Sequence, residues 1–484
     1  MRETIESLFR KYNVKGVSCD SRNIRPDDAF FAIRGETIDG NQFINEALQI
    51  AKIVFTEDAS RKEEEVFYIQ NIRLALAIAA GIIYPNLSAN LVAITGTNGK
   101  TSVVSYIYQI LKLLGQEAAT IGTLGINSTI KLEEKFLKEL PQSLTTADPI
   151  TFRKILNELA EKKISNVIFE ASSHGITQRR LGDIKAKTAG FTSFSQDHLD
   201  YHKTMDNYLE AKLQLFRDNL EEEGEVVINS EILDSIYGDF VKNFFTKHGI
   251  HYFGVGKSGN IKVKNISSSI TGNIVDFEYN KRNYAFTTNI IGSFQAVNLL
   301  IAAKMTANLG VDFDRIVEVL EQVTAVTGRL QRITALESEM QVFVDYAHTP
   351  DALEKSLLEL RNIKAQQGGK LYVVFGCGGD RDPSKRELMG QVACKLADYV
   401  VVTDDNPRTE NPEKIRLDVL KGAAGAEEVP GRELAIKRTI EKLKKNDILL
   451  IAGKGHETYQ IIGNRTLFFS DIETAQKMLL LRNK

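Results

Sequence analysis

The sequence predicts an α/β protein of three domains: a small α/β block first, a central block on a mostly parallel sheet, and a Rossmann-like α/β block at the C-terminal end. Three observations carry this. The chain has 484 residues, and at roughly 150 residues per domain that suggests about three units. Its apolar fraction of 43% suits packed cores. From about Leu91 onward, short β-rich runs alternate with longer amphipathic ones, the order that builds a parallel sheet with helices on its faces.

Residues 1–88 read as the small unit, without a nucleotide loop of their own. In the central block, residues 89–325, LVAITG precedes KTSVVSYIYQILKLLG, and SNVIFEAS follows the helical pattern ITFRKILNELAEKK. The segment IKVKNISSSITGNIVDFEYNKRNYAFTTNI alternates apolar and polar residues. That is the pattern of a β-hairpin or meander, expected here as an appendage of the central block. In residues 326–484, KLYVVFGCGG and YVVVTDDNP each lead into a helical stretch.

Composition removes several classes of function. Lysine plus arginine (61) against aspartate plus glutamate (63) leaves a formal charge of −2, with no basic excess to neutralise a nucleic-acid backbone. Three cysteines, Cys19, Cys377 and Cys394, lack metal-type spacing and make no disulfide scaffold. The start, MRETIESLFRKYNV, lacks the basic-then-apolar layout of a signal peptide. The longest apolar stretch, Leu74 to Tyr84, is well short of the ~20 residues of a membrane-spanning helix. The expectation is a cytoplasmic, soluble protein, a monomer with no nucleic-acid or membrane partner.

The most informative segment is Thr95-Gly96-Thr97-Asn98-Gly99-Lys100-Thr101-Ser102, which follows a strand and opens a helix. Glycines let the backbone turn tightly and aim its amides at phosphate oxygens, and the helix N-terminus adds partial positive charge. Lys100 would reach the β- and γ-phosphates of ATP, and the Thr101 hydroxyl would hold magnesium. The loop is shorter than the usual phosphate-loop pattern, because position 94 is Ile94 rather than glycine. By itself it does not separate a kinase, a GTPase and a ligase.

The short form TGTNGKTS resembles the loop of the Mur ligase family, ATP-dependent enzymes of bacterial cell-wall precursor synthesis. DSRNIRPDDAFFAIRG in the first block looks like that family's UDP-binding domain. Leu144-Thr145-Thr146, Glu170-Ala171-Ser172-Ser173-His174-Gly175, Gln178, Arg180, Asp197-His198-Leu199-Asp200 and AKLQLF at 211–216 follow in the family's order. Gly328-Arg329, DYAHTPD at 345–351 and GKGHE at 453–457 complete the set, so the resemblance spans nearly the whole chain.

Within the family it is similar to the branch that adds the third amino acid. The resemblance implies that ATP phosphorylates the glutamate carboxylate of UDP-N-acetylmuramoyl-L-alanyl-D-glutamate and that an amine then displaces phosphate. Two anions must be brought together, so magnesium and cationic side chains supply most of the catalysis. It also implies that Lys100, Glu170, His198 and Lys212 form the catalytic set, with Thr101, Glu170, His198 and Lys212 around magnesium. On residues alone Lys212, in YLEAKLQLF, would be a solvated lysine with a buried stem. The family carbamylates this lysine with carbon dioxide. Asn298, Arg329, Asp345 and Tyr346 would join Gly96 to Ser102 in binding ATP. Cys19, Ser21, Leu144, Thr145, Thr146, Ser172, Gln178 and Arg180 would bind the UDP-dipeptide. Nucleotide would then lie between the central and C-terminal blocks, and catalysis would depend on their closure.

The tetrad Asp405-Asn406-Pro407-Arg408 resembles the motif of ligases that add meso-diaminopimelate. That diamino diacid carries a second carboxylate, which arginine grips with two parallel hydrogen bonds. The ammonium of lysine would face the guanidinium instead, and like charges ~4 Å apart at an effective dielectric of ~20 repel by about 4 kcal/mol. Arg381, Gly453 and Glu457 would complete the diaminopimelate site, with Glu457 pairing an ammonium. Asn41, Gln295 and Gly431 depart from the family pattern. A lysine- or lanthionine-adding ligase, a folylpolyglutamate synthetase-like enzyme and a nucleotide-gated binding protein without catalysis remain as alternatives.

Overall fold

Strand Asn90–Thr95, buried from Leu91 onward, pairs in parallel with Asn166–Glu170 on one side and Ala186–Phe191 on the other. Such near-continuous apolar runs mark strands covered on both faces. In the computed structural model, which describes residues 1–35, 38–141, 145–333 and 340–482, these strands belong to a ten-stranded sheet. Its parallel part runs from Ala118–Gly122 to Ile261–Ser269. The helix Lys100–Leu113 lies against Ser293–Ala307, where Tyr106 OH donates to Gln295 Oε1 at 3.1 Å.

The predicted meander forms as Ile261–Ser269, Gly272–Tyr279 and Arg282–Thr288, all antiparallel. It is not an appendage. Ile261 and Lys262 pair with Val255 and Gly256, so the meander extends the main sheet. Val263, Val275, Phe277 and Phe286 enter the same core as Ala296 and Leu299 of the helix behind it. The alternation seen in the sequence is the in-and-out of a sheet with one covered face.

The first block carries a four-stranded parallel sheet, Gly16–Ser18, Asp28–Phe31, Ile53–Thr56 and Val66–Tyr68. Helices Arg2–Tyr12 and Ile72–Ile83 share a core with it. The run Leu74 to Tyr84 is therefore a core helix, and no helix among the described residues is long and apolar enough to cross a membrane.

The last block has six strands in the order Gln331–Ile333, Gln341–Asp345, Ile448–Ala452, Leu371–Phe375, Tyr399–Val402, Glu427–Glu428, parallel except for the first pair. Asp345 and Phe375 both pair with Ala452, and Phe375 with Val402, so four strands end together. In the central sheet Ile94 pairs with Glu170 and Thr95 with Phe191. Ligands of open α/β sheets sit at such carboxyl edges. Here both edges open on one cleft.

Candidate active site

The cleft has a volume of about 620 Å³ and takes its walls from both sheets. On the central side, the phosphate loop packs against the end of Ala186–Phe191. Thr97 N–H donates to Ser193 O at 2.9 Å, and Asn98 N–H to Ser193 Oγ at 2.8 Å. Gly96, at φ +149°, comes so close that a Cβ there would lie 2.0 Å from Thr192 Oγ1. Gly99 takes φ +87° as the cap of helix Lys100–Leu113. Lys100 Nζ folds back on the carbonyls of Gly96 and Thr97, at 2.8 and 3.0 Å. Desolvation lowers its pKa, against the attraction of Glu170 and Asp197.

An adjoining cavity of about 90 Å³ is lined by Asn98, Gly99, Ser102, Asn298, Arg329, Asp345 and Tyr346. Asn298 is buried there, its Nδ2 donating to Gln295 Oε1 at 3.3 Å. Arg329 lies 4.3 Å from the centre of the Tyr346 ring and donates from Nη2 to Thr101 Oγ1 at 2.9 Å. Its Nε is buried with no acceptor among the described residues. That orphaned donor, the glycine-lined loop and the helix N-terminus make a cradle for a polyphosphate. Asp345 accepts from the backbone of Leu330 (3.1 Å) and Tyr346 (2.8 Å), and from Ser356 Oγ at 2.5 Å. It therefore braces the backbone at Leu330 and Tyr346 rather than presenting both oxygens to the cavity.

Glu170, buried at its strand end, accepts from Thr123 N–H at 2.8 Å and Thr123 Oγ1 at 3.0 Å. His198 stands over His174, ring centres 4.8 Å apart, and desolvation holds it neutral despite the pull of Asp197. Lys212 is 1% exposed, on helix Met205–Asp218, with its Nζ 4.4 Å from the Tyr208 ring centre. The solvated position that the helical pattern suggests is therefore wrong; this lysine is packed inside. Desolvation and then Lys100 lower its pKa well below the usual 10.5. No group of three His, Cys, Asp or Glu is arranged to cage a metal among the described residues. The Glu170 carboxylate and the Thr101 hydroxyl on the cleft are oxygen ligands of the kind magnesium takes, with phosphate and water completing its shell and the neutral His198 beside them.

On the opposite wall, Arg381, Asp405, Asn406, Arg408, Gly453 and Glu457 line the cleft. The hairpin Tyr459–Ile462 with Arg465–Phe468 fixes the tetrad. Arg408 N–H donates to Ile461 O (3.1 Å), Gly463 N–H to Arg408 O (2.7 Å), and Arg408 Nη1 to Gly379 O (2.7 Å). Pro407 is buried behind the loop, its carbonyl against Gly379.

Thr145, Thr146, Ser172 and Arg180 line the cleft, and Arg180 also reaches a separate cavity of about 550 Å³ with Cys19, Ser21 and Gln178. Thr146 Oγ1 donates to Ser172 Oγ at 2.9 Å, and Arg180 Nη1 to Thr146 O at 2.5 Å. Leu144 lies outside the described residues.

Three family models match the chain in succession. They are described as Mur ligase family, catalytic domain (residues 13–94), Mur ligase middle domain (94–306) and Mur ligase, glutamate ligase domain (328–455). A Rickettsia bellii (strain RML369-C) protein named UDP-N-acetylmuramoyl-L-alanyl-D-glutamate--2,6-diaminopimelate ligase is 48% identical over 483 residues, 99% of each chain. The chain belongs to the Mur ligase family. A solved structure of a UDP-N-acetylmuramoyl-L-alanyl-D-glutamate--2,6-diaminopimelate ligase is 30% identical, with TM-score 0.68, covering 97% of this chain and 96% of its own. A Mycobacterium tuberculosis folylpolyglutamate synthase complexed with ADP and AMPPCP is 17% identical, with TM-score 0.63 over 79% of this chain and 92% of its own. That second likeness is one of fold.

The Mur ligase cleft of this chain also holds residues to which the sequence motifs assign no task. Asp197, buried, faces His198 Nε2 at 3.4 Å, His348 Nε2 at 3.9 Å and Lys385 Nζ at 4.0 Å. Burial opposes its ionisation, but the Lys385 ammonium and the His198 backbone N–H, which donates to Oδ1 at 2.9 Å, favour the charged form and hold its pKa below the usual carboxylate range. Because His348 and Lys385 come from the last block, Asp197 ties the two walls together. Asp351 does the same from helix Pro350–Gln367, accepting from Asn98 Nδ2 at 3.2 Å and Ser195 Oγ at 3.1 Å. The departing residues have places too. Asn41 Oδ1 accepts from Thr56 Oγ1 at 2.6 Å, Gln295 joins Tyr106 to Asn298, and Gly431 N–H donates to Asp404 Oδ2 at 2.8 Å.

Proposed function

We propose that this chain is the ATP-dependent ligase that joins meso-diaminopimelate to the D-glutamate side-chain carboxylate of UDP-N-acetylmuramoyl-L-alanyl-D-glutamate, releasing ADP and orthophosphate in peptidoglycan precursor synthesis. The observation that carries it is the single cleft in which the phosphate loop faces the DNPR tetrad across two sheet edges. In this reading the division falls at 88/89 and 325/326, and the enzyme acts as a cytoplasmic monomer with no nucleic-acid or membrane partner.

Each wall has its task. Lys100 leaves the loop carbonyls to reach the β- and γ-phosphates, with the helix N-terminus behind it. Arg329, with a donor to spare, takes another phosphate oxygen. Thr101, Glu170, His198 and Lys212 as its carbamate would hold Mg²⁺, which when bound would screen the γ-phosphate from the glutamate carboxylate. Thr146, Ser172 and Arg180 orient the dipeptide, and Cys19, Ser21 and Gln178 hold the uridine end. Arg381 and Arg408 take carboxylates of diaminopimelate, and Glu457, held by Asn406, takes its ammonium. A binder that has lost catalysis would have no use for so many cation-holding groups around one phosphate site.

The test is orthophosphate release measured with ATP, the UDP-dipeptide and a panel of amines. Release is expected only with both substrates and best with meso-diaminopimelate. Preferential lysine incorporation would overturn the choice of amino acid, and release with a folate in place of the UDP-dipeptide would overturn the choice of acid. Arg408→Lys keeps the charge but loses the two-pronged grip, so KM for diaminopimelate is expected to rise about 10- to 100-fold with KM for ATP unchanged. Equal losses in both would mean that Arg408 supports the fold instead.

A further inference from the structure

Behind the amino-acid wall sits an ammonium that does not line the cleft. Lys454 is fully buried. Its Nζ donates to Asn406 Oδ1 at 3.1 Å and to Glu457 Oε2 at 2.9 Å. Asn406 Nδ2 donates to that same glutamate oxygen at 2.9 Å, and Ile461 N–H to Asn406 Oδ1 at 3.0 Å. The amide is thereby fixed in one orientation, since its oxygen takes two donors. Glu457 Oε2 also takes two donors, while Oε1 has none among the described residues. An ammonium suits this spot because it offers three donors and no acceptor. It also pairs its charge with the Glu457 carboxylate, at 2.9 Å.

We propose that Lys454 is the positioning residue of the diamino-acid pocket, orienting Asn406 and Glu457 so that one carboxylate oxygen is held ready for the substrate ammonium. It acts only through those two residues. The proposal rests on the diaminopimelate site assigned above, and Arg408 is anchored independently of it, through Gly379 and the backbone of Ile461.

The variant Lys454→Met is expected to raise KM for diaminopimelate about 10- to 100-fold, the usual cost of a charge-assisted hydrogen bond, with KM for ATP and the UDP-dipeptide unchanged. Lysine shares the ammonium but not the distal carboxylate. The preference for diaminopimelate over lysine should therefore persist in Lys454→Met and narrow in Arg408→Lys. The pair Lys454→Met with Glu457→Gln should be no worse than Glu457→Gln alone. Additive losses would overturn the proposal, as would a fall in kcat with every KM unchanged in a variant that is fully folded. Should Lys454→Met not fold, Lys454→Ala assayed with propylammonium carries the test. Recovery of the diaminopimelate KM supports it, and no response to the amine overturns it. A wild-type enzyme that ignores diaminopimelate would sink the assigned reaction and this proposal together, whereas an active wild type with an unaltered variant sinks this proposal alone.

Discussion

Replacing Lys212 by alanine is expected to lower kcat for orthophosphate release by about 10³-fold, the scale on which a lost electrostatic partner of the reacting charge is felt. A lysine ammonium here would repel both Lys100 and any divalent cation. The side chain is buried on helix Met205–Asp218, and desolvation together with Lys100 keeps its pKa well below 10.5. Depression of that pKa favours the neutral amine as pH rises through it. In the proposed reading the neutral amine attacks carbon dioxide: an N–C bond would form, a proton would leave, and a carbamate anion would stand beside Lys100 in place of the amine. Wild-type activity should therefore fall in buffer stripped of carbon dioxide and return with bicarbonate, and the return should weaken as pH drops and the amine is protonated. The alanine variant should not respond. An alanine variant that keeps a tenth of wild-type activity, or that answers bicarbonate as the wild type does, would remove Lys212 from the metal site.

The meeting of residues 95–102 and 405–408 at the cleft is legible in the sequence because each is a run of consecutive positions at a strand end, where spacing alone fixes geometry. The three sheets were legible for a similar reason: apolar runs such as Leu91 to Ile94 leave little choice but a strand covered on both faces. Burial of Lys212 was not, since a lysine on an amphipathic helix reads as a snorkelling surface residue, and its enclosure, with Nζ over the Tyr208 ring, comes from tertiary packing. Asp197 was visible as part of a motif, yet its partners His348 and Lys385 are more than a hundred positions away. Thr123, which fixes Glu170 with two hydrogen bonds, sits in a turn without any local signal. The meander's strands are legible in its alternation, but its place beside Val255–Gly256 is not. Alternation reveals which face is apolar and says nothing of which strand lies alongside.

A second large effect is expected away from the chemistry. Arg432 and Asp471 are both fully buried and joined by two hydrogen bonds, Nε to Oδ1 and Nη2 to Oδ2, each 2.7 Å. Nη2 also donates to Ala452 O at 2.8 Å and Nη1 to Asp404 O at 3.3 Å. Truncation to Asp471→Ala leaves a guanidinium without its counter-charge in the core, which typically costs about 3–5 kcal/mol. The urea midpoint of the transition that unfolds the last block should drop accordingly, with little change in any transition that reports the first. Replacing both partners, as Arg432→Met with Asp471→Leu, should recover most of the stability, because an apolar pair of similar volume is often as good as a buried ion pair. It should not recover function to the same degree. The carbonyls that Arg432 holds belong to Ala452 and Asp404, which lead directly into Gly453 and Asp405 of the cleft wall. The stable double variant is therefore expected to show a raised KM for diaminopimelate with ATP binding intact. If it binds diaminopimelate as the wild type does, the buried pair serves stability alone; if Asp471→Ala costs under ~1 kcal/mol, the pair is not the anchor its burial suggests.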